Sequence, residues 1–329
     1  MLYLKFLIIY FILFSLVFFV SKYFNWVDEP NSRKIHNNPI YNTGGLIIYL
    51  FYLIIVSQFE LNHNIELIIT TGFFVILGGF IDDRKNIRPL TKLIIIFIPS
   101  VYLLGNGIII NDLGNYDYVG LINLGKFSIP FLILSIGLLI NATNYIDGVD
   151  GLLLSFFFST LVYYIFLVEN VELQNLLLLL SIPVFLNFIL NIIPSKSGFK
   201  FFTGDNGSLF IGFFISFLTI NLYKEFNVHP AYLIWPLWYP VYDFLFVSIN
   251  RLLKNQSLLK PDKSHMHHDI FQILKKNHIL TTFSFIIFNT TILILSLQLT
   301  NYSKFISLII FGLSFILYSL IRFKINDRF

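Results

Sequence analysis

Carboxylates, carboxamides and imidazoles are concentrated in four short segments of this chain. Asp82 and Asp83 are adjacent at the end of an apolar run. Asn141, Asn144, Asp147 and Asp150 recur every three residues. Asp205 lies within Thr203-Gly204-Asp205-Asn206-Gly207-Ser208, and His265, His267 and His268 follow Lys260 and Lys263. Neighbouring carboxylates near a membrane repel each other and cost desolvation, which a divalent cation or a cationic partner relieves. A solvated helix end beside Arg84 and Lys85 is the plainer account of the pair. Asn and Asp oxygens suit a hard cation or a polar ligand. Small residues around Asp205 leave backbone N–H groups accessible at a helix N-terminus, where anions bind; a simple helix cap is the alternative. Histidines beside lysines suit phosphate or sugar hydroxyls. Zinc is disfavoured, because no second cluster has zinc spacing.

On a straight helix the Asn141–Asp150 stripe would drift by about 180° over its four members, so it faces one ligand only if the helix stops. Gly148 and Gly151 predict an end near Tyr145. Capping by Asp147 or Asp150 would explain one of the four residues. A fifth segment, Arg33-Lys34-Ile35-His36 followed by Gly44-Gly45, adds positive charge that membrane orientation alone would explain. Asp243 stands inside an apolar run, which makes it a functional candidate by default, with an ion pair to Arg251 as the plain alternative. His63 and His278 lie outside any cluster and read as structural.

The elements that must position these groups are membrane helices. Hydrophobic residues make up 56% of the 329 and charged ones only 12%, and mean hydropathy is +0.77, outside soluble usage. There is no cysteine, which excludes disulfides and thiolate chemistry. The net charge of +4 does not argue for nucleic acid. Eleven spans are expected at roughly 3–21, 44–59, 65–81, 91–106, 127–144, 151–168, 174–194, 207–223, 230–250, 281–298 and 304–321. The first reads as a retained helix rather than a signal peptide, since only Lys5 precedes it and no small-residue cleavage site follows. Gly72, Gly78 and Gly79 would allow close helix approach in the third span. With these spans, 18 of the 22 Lys and Arg residues fall on one side, which is therefore cytoplasmic. The N-terminus is then outside, the C-terminus inside, and all the polar motifs share the cytoplasmic face. The expected fold is an all-α integral membrane protein, one polytopic domain over residues 1–329. The connection 107–126 on the opposite face carries no clustered chemistry.

These motifs, in this order, resemble the polyprenyl-phosphate N-acetylhexosamine-1-phosphate transferases of glycosyltransferase family 4. The family includes enzymes that begin O-antigen, enterobacterial common antigen and teichoic-acid linkage units, and the phospho-MurNAc-pentapeptide translocase. The resemblance runs from Arg33 to His268, and the His-Met-His-His form is similar to the UDP-GlcNAc branch. It implies Mg²⁺ (with Mn²⁺ as an option) on Asp205, with Asn144 as a second ligand. It implies Asp82 and Asp83 as the catalytic pair beside metal and lipid phosphate. Asn141, Asp147 and Asp150 would form the nucleotide-sugar loop, with Asp150 the better candidate for a uracil contact. His265, His267 and His268, with Lys263, would read sugar and diphosphate. Lys34 and His36 would hold the lipid phosphate. Tyr41 and Asn42 stand where many members have Pro-Arg, Asn31 where an acid is common, and Lys263 where Arg is common. These departures leave the reaction type intact and the sugar open.

The implied reaction is transfer of a sugar-1-phosphate, expected to be N-acetylhexosamine-1-phosphate, from a UDP-sugar to undecaprenyl phosphate, releasing UMP. It would be the first membrane step of cell-surface polysaccharide or cell-wall synthesis in a bacterial inner membrane. Expected partners are undecaprenyl phosphate, the UDP-N-acetylhexosamine, the bilayer and, as an option, a second copy in a homodimer; nucleic acid is not expected. A 6-deoxy amino sugar or phospho-MurNAc-pentapeptide donor is the alternative within the family. A membrane transporter is the alternative outside it, although transporter sites lie near the bilayer midplane.

Overall fold

The computed structural model describes residues 2–30, 38–85, 87–194, 198–257 and 264–326. Helices dominate these residues: α1 Leu2–Tyr23, α2 Gly44–Gln58, α3 His63–Lys85, α4 Pro89–Gly105, α5 Ser128–Ile146, α6 Leu152–Leu167, α7 Val171–Ile192, α8 Gly204–Phe226, α9 Pro230–Leu233, α10 Trp238–Leu253, α11 Met266–Ile273, α12 His278–Gln298 and α13 Lys304–Asn326. Two antiparallel hairpins interrupt them. β1 Val27–Asp28 pairs with β2 Ile40–Tyr41, Val27 opposite Tyr41. β3 Asp112–Tyr116 pairs with β4 Gly120–Asn123, within the connection 107–126.

Among the described residues seven helices, α1, α3, α5, α7, α8, α12 and α13, are long and apolar enough to cross a membrane. Helices α2 and α6 are apolar but shorter. The expected spans all fall on helical chain. The ninth is broken, with a 3₁₀ turn at Trp235–Leu237 separating α9 from α10. Pro236 and Pro240 explain the break, because a proline nitrogen cannot continue the i→i−4 ladder.

Helix α8 is the axis of the bundle. Its apolar window is 72% buried, against 22% for α1 and 11% for α13. In hydrocarbon, helices associate by close packing rather than by excluding water, so small residues mark their contacts. A Cβ on Gly79 of α3 would lie 2.4 Å from Asn206 Cα, and one on Gly45 of α2 only 2.1 Å from Gly207 Cα. Gly72 gives α3 a second approach to α8 at Phe210, whereas Gly78 faces Ile95 of α4. The α5–α8 contact carries a hydrogen bond, from Thr143 Oγ1 to Ser208 O at 3.0 Å. The ends of α3 and α5 and the start of α8 thereby meet at one end of the bundle. Gly79→Ala should lower the stability of the detergent-solubilised protein by about 1–3 kcal/mol. Gly312→Ala, whose Cβ would meet nothing within 4 Å, should leave the thermal midpoint unchanged in the same melt.

Candidate active site

Asp83, in the last turn of α3, reaches across to α8. Its Oδ1 accepts the Asp205 N–H at 2.9 Å and its Oδ2 the Asn206 N–H at 3.2 Å. Asn206 Nδ2 adds a bond to the same Oδ2 at 2.6 Å. Asp83 is therefore the N-terminal cap of α8, supplied by another helix. The N-cap residue itself, Thr203, makes no side-chain capping bond. This corrects two expectations. Asp205 is not the cap of its helix, and the first N–H groups of α8 are taken by a protein carboxylate rather than left for a substrate anion. The physical reason is the helix dipole, which favours negative charge at that end.

Asp82, one residue away, turns toward α4. Lys92 Nζ lies 2.7 Å from Asp82 Oδ2, 3.1 Å from Asp205 Oδ2 and 3.4 Å from Asn144 Oδ1. Asn144 is oriented for this by its amide, which donates to Asp205 Oδ1 at 2.7 Å and to Ser208 Oγ at 2.8 Å. Asp82 Oδ1 also accepts the Ile87 N–H at 2.9 Å, closing the turn between α3 and α4. The cationic partner that the acid pair requires is thus Lys92. Sequence reasoning counted Lys92 only as cytoplasmic charge, because no local pattern ties it to Asp205.

Among the described residues no three His, Asp or Glu side chains form a metal cage. Mg²⁺ does not need one, since it keeps several waters and takes one or two carboxylates plus substrate phosphate oxygens. The donor set fits: Asp205, Asp82 and the Asn144 carbonyl oxygen converge on a point where a positive charge, the Lys92 ammonium, is already held.

The other motifs arrive through loops. Gly44 N donates to Phe202 O at 2.9 Å and Gly45 N to Thr203 O at 3.0 Å, so the Gly-Gly pair is laid along the Asp205 loop. Asn42 O accepts from Asn206 Nδ2 at 2.8 Å, and Asn42 Oδ1 from Arg84 Nη2 at 3.3 Å. A guanidinium therefore does stand beside Asn42, contributed by α3. It lies over Trp26 and Phe80, 5.5 and 4.9 Å from their ring centres.

Helix α5 ends at Ile146 with Asp147 as its C-cap, and Gly151 takes a left-handed φ of 75° to start α6. The helix stops where the spacing predicted. Asn141 stays one turn back, its amide donating to Gly137 O at 2.7 Å, on the wall of an apolar cleft of 530 Å³ lined by Ile94, Phe97, Leu134 and Phe244. Removal from water, and then the charge of Asp205, raise the Asp147 carboxyl well above the usual carboxylate range. Asp150 is ion-paired with Lys200 and its N–H donates to His278 Nδ1 at 3.1 Å. His278, expected to be purely structural, belongs to this loop, and Lys200 was missed because it is fifty residues from Asp150 in sequence.

His265, His267 and His268 form one cluster, with ring centres 4.2 Å apart for His267 and His268. The His265 ring lies 4.9 Å from that of Tyr145, next to Asn144. His267 Nδ1 bonds Tyr239 Oη at 3.0 Å, and burial first, then His268, hold its pKa well below the usual histidine value. Its Nε2 is buried with no hydrogen-bond partner among the described residues, and a Cβ on Gly148 would lie 3.3 Å from it. Asp243 pairs with His265 Nδ1 at 2.7 Å. Lys34, His36 and Lys263 lie outside the described residues. Lys92→Met should lower the thermal midpoint without divalent ions, because Asp82 and Asp205 lose their shared counter-charge. Millimolar Mg²⁺ should recover more stability in this variant than in the wild type; equal Mg²⁺ responses would refute the convergent-oxygen reading.

Comparison with known proteins gives the same picture. Residues 65–223 match the family model described as glycosyl transferase family 4. A Bacillus subtilis (strain 168) protein, the probable undecaprenyl-phosphate N-acetylglucosaminyl 1-phosphate transferase, is 30% identical over 249 residues, covering 74% of this chain and 68% of its own. The Yersinia pestis undecaprenyl-phosphate alpha-N-acetylglucosaminyl 1-phosphate transferase is 26% identical over 94% of this chain and 89% of its own. Its Escherichia coli (strain K12) counterpart is 26% identical over 77% and 71%. With a relative of this identity and coverage, and with motif residues from four segments meeting at one end of the bundle, the chain belongs to glycosyl transferase family 4, among the polyprenyl-phosphate hexosamine-1-phosphate transferases.

Proposed function

We propose that this protein transfers a sugar-1-phosphate from a UDP-sugar to undecaprenyl phosphate, with N-acetylglucosamine-1-phosphate the preferred donor group, at the cytoplasmic face of a bacterial inner membrane. The observation that carries this reading is the convergence of Asp82, Asp205 and Asn144 oxygens on Lys92 beside an apolar cleft. A diphosphate needs positive charge in a scaffold of fixed acids, and a lipid acceptor needs an apolar path to the same point. The cleft between α4 and α5 supplies the path, with Asn141 and Ser100 among its few polar walls.

An oxygen of the lipid phosphate attacks the sugar-linked phosphorus in line, a new P–O bond forms, and the bond to UMP breaks. The acceptor is already largely dianionic near neutral pH, since a phosphate monoester has a second pKa of about 6, so no strong base is required. Lys92 pairs with the phosphate charge, and Asp82 orients the Lys92 ammonium and stands ready to accept the residual acceptor proton. Asp83 holds the start of α8, and so the Asp205 carboxylate, in place. Asp205, with Asn144 and Asp82 in reach, would hold Mg²⁺, which supplies charge neutralisation on the diphosphate. Asp147, Asp150 and the histidine loop close on the nucleotide-sugar side, where His267 Nε2 offers a buried hydrogen-bonding group.

The acids sit at helix ends on one side of the bundle rather than midway along it, which favours an interfacial enzyme over a transporter. The basic-residue bias supports an eleven-span topology with the N-terminus outside and the C-terminus inside. UMP release by purified protein with undecaprenyl phosphate, Mg²⁺ and a panel of UDP-sugars tests the reaction. Release should occur with UDP-N-acetylglucosamine, stop with EDTA, and fall by at least about a hundredfold in Asp205→Asn; no release from folded protein with any sugar would sink the proposal. Topology is tested separately in this cysteine-free chain. A membrane-impermeant thiol reagent should label Lys126→Cys from outside intact cells and Lys254→Cys only after lysis.

A further inference from the structure

Helix α13 resembles a lipid-facing strut over most of its length, with Leu313 and Leu317 58% and 59% exposed. Near its end, two side chains one turn apart break the pattern, as Ser307 does near its start: Tyr318 is 6% exposed and Arg322 fully buried. They share one face, as residues four apart on a helix do. A buried arginine in an apolar helix is tolerated only when it is paired and hydrogen-bonded, so its partners show what it holds. The Arg322 guanidinium pairs with Asp269 through Nη1, donates through Nη2 to Ser264 O at 2.6 Å, and rests 5.3 Å over the Phe246 ring. Ser264 and Asp269 bracket the four residues His265–His268. Tyr318 Oη donates to Asp243 Oδ1 at 2.7 Å. Asp243 uses the same oxygen to accept the Met266 N–H at 3.0 Å, and its Oδ2 meets His265 Nδ1 at 2.7 Å.

We infer that α13 is part of the donor site: Tyr318 and Arg322 are positioning residues that hold the His265–His268 loop from behind, Tyr318 through Asp243 and Arg322 through Asp269 and Ser264. The inference rests on the proposed reaction for its kinetic consequence but not for its geometry. Asp243, with its charge fixed by the tyrosine hydroxyl and the Met266 N–H, accepts from His265 Nδ1 and so selects which ring nitrogen faces away from α10. The His265 ring is then set against Tyr145, beside Asn144, while Arg322 ties both ends of the loop to α13. These contacts of Tyr318 and Arg322 are to the protein itself. Their effect passes through the orientation of the histidine loop, as outer partners of a ligating histidine act.

The test uses the full-length protein in detergent with Tyr318→Phe and Arg322→Lys, both of which keep the packing volume. Arg322→Lys retains the charge and loses the fork that spans Asp269 and Ser264. Leu317→Ala, on the lipid side of α13, is the control. Histidine modification by diethyl pyrocarbonate, read by mass spectrometry, needs no activity. His265 and His267 should react several-fold faster in both variants than in the wild type or the control. In the UMP-release assay the KM for the UDP-sugar should rise about tenfold, with the KM for undecaprenyl phosphate unchanged. Wild-type labelling rates in both variants overturn the inference. Equal losses toward both substrates also overturn it, because a merely structural role for α13 would act on both. Should the wild type release no UMP with any sugar, the proposed reaction falls, and the labelling rates alone support or overturn the role of α13.

Discussion

The arrangement depends on one carboxylate crossing a helix interface. Asp83 caps α8 from the end of α3, which is feasible only because Gly79 and Gly45 let backbones approach to distances no Cβ would allow. The bond satisfies N–H groups at the start of α8 that have no partner within their own helix. It also sets the height and rotation of α8, and so decides where Asp205 points. Asn206, bonded both to Asp83 and to the Asn42 carbonyl, ties the first loop into the same joint.

Once α8 is placed, the electrostatics around it follow. Asp82, Asp205 and Asn144 come from three helices and share one ammonium. A group of acids this tight cannot remain charged in a poorly solvated place without compensating positive charge. The protein provides one such cation of its own, the Lys92 ammonium. Adjacent acids therefore have separate partners: Asp83 holds the start of α8, while Asp82 faces Lys92.

The side that carries Asp150 and the histidines is built differently. There the contacts are between loops, Asp150 with Lys200 and His278, His267 against Gly148, and their shape is imposed from outside by Asp243 and α13. Loops that must admit a large polar substrate cannot be held by a packed core, so charged and hydrogen-bonded ties to rigid helices take that role. The cleft between α4 and α5 is instead lined almost wholly by apolar side chains.

Much of this was legible in the residues. Apolar runs and the lopsided distribution of Lys and Arg imposed a helical membrane fold, because the bilayer admits no other backbone solution than helices or closed barrels. The glycines of the third span announced close approach, and Gly148 and Gly151 announced where α5 would stop. The acids, amides and histidines could be picked out by type and order. What they do to one another could not be, since partners such as Lys92 and Asp205, or Lys200 and Asp150, are separated by 113 and 50 residues. Local sequence also could not show that Asp83 would cap a distant helix, that Pro236 would split the ninth span into a broken pair, or that Tyr318 and Arg322 would reach the histidines. Residue chemistry and hydropathy determine the class of protein and the inventory of its site, because solvation acts on each residue where it stands. Which carboxylate meets which cation was decided by tertiary structure, because Coulombic and hydrogen-bonding partners are chosen by distance in space, and helix packing alone sets that distance.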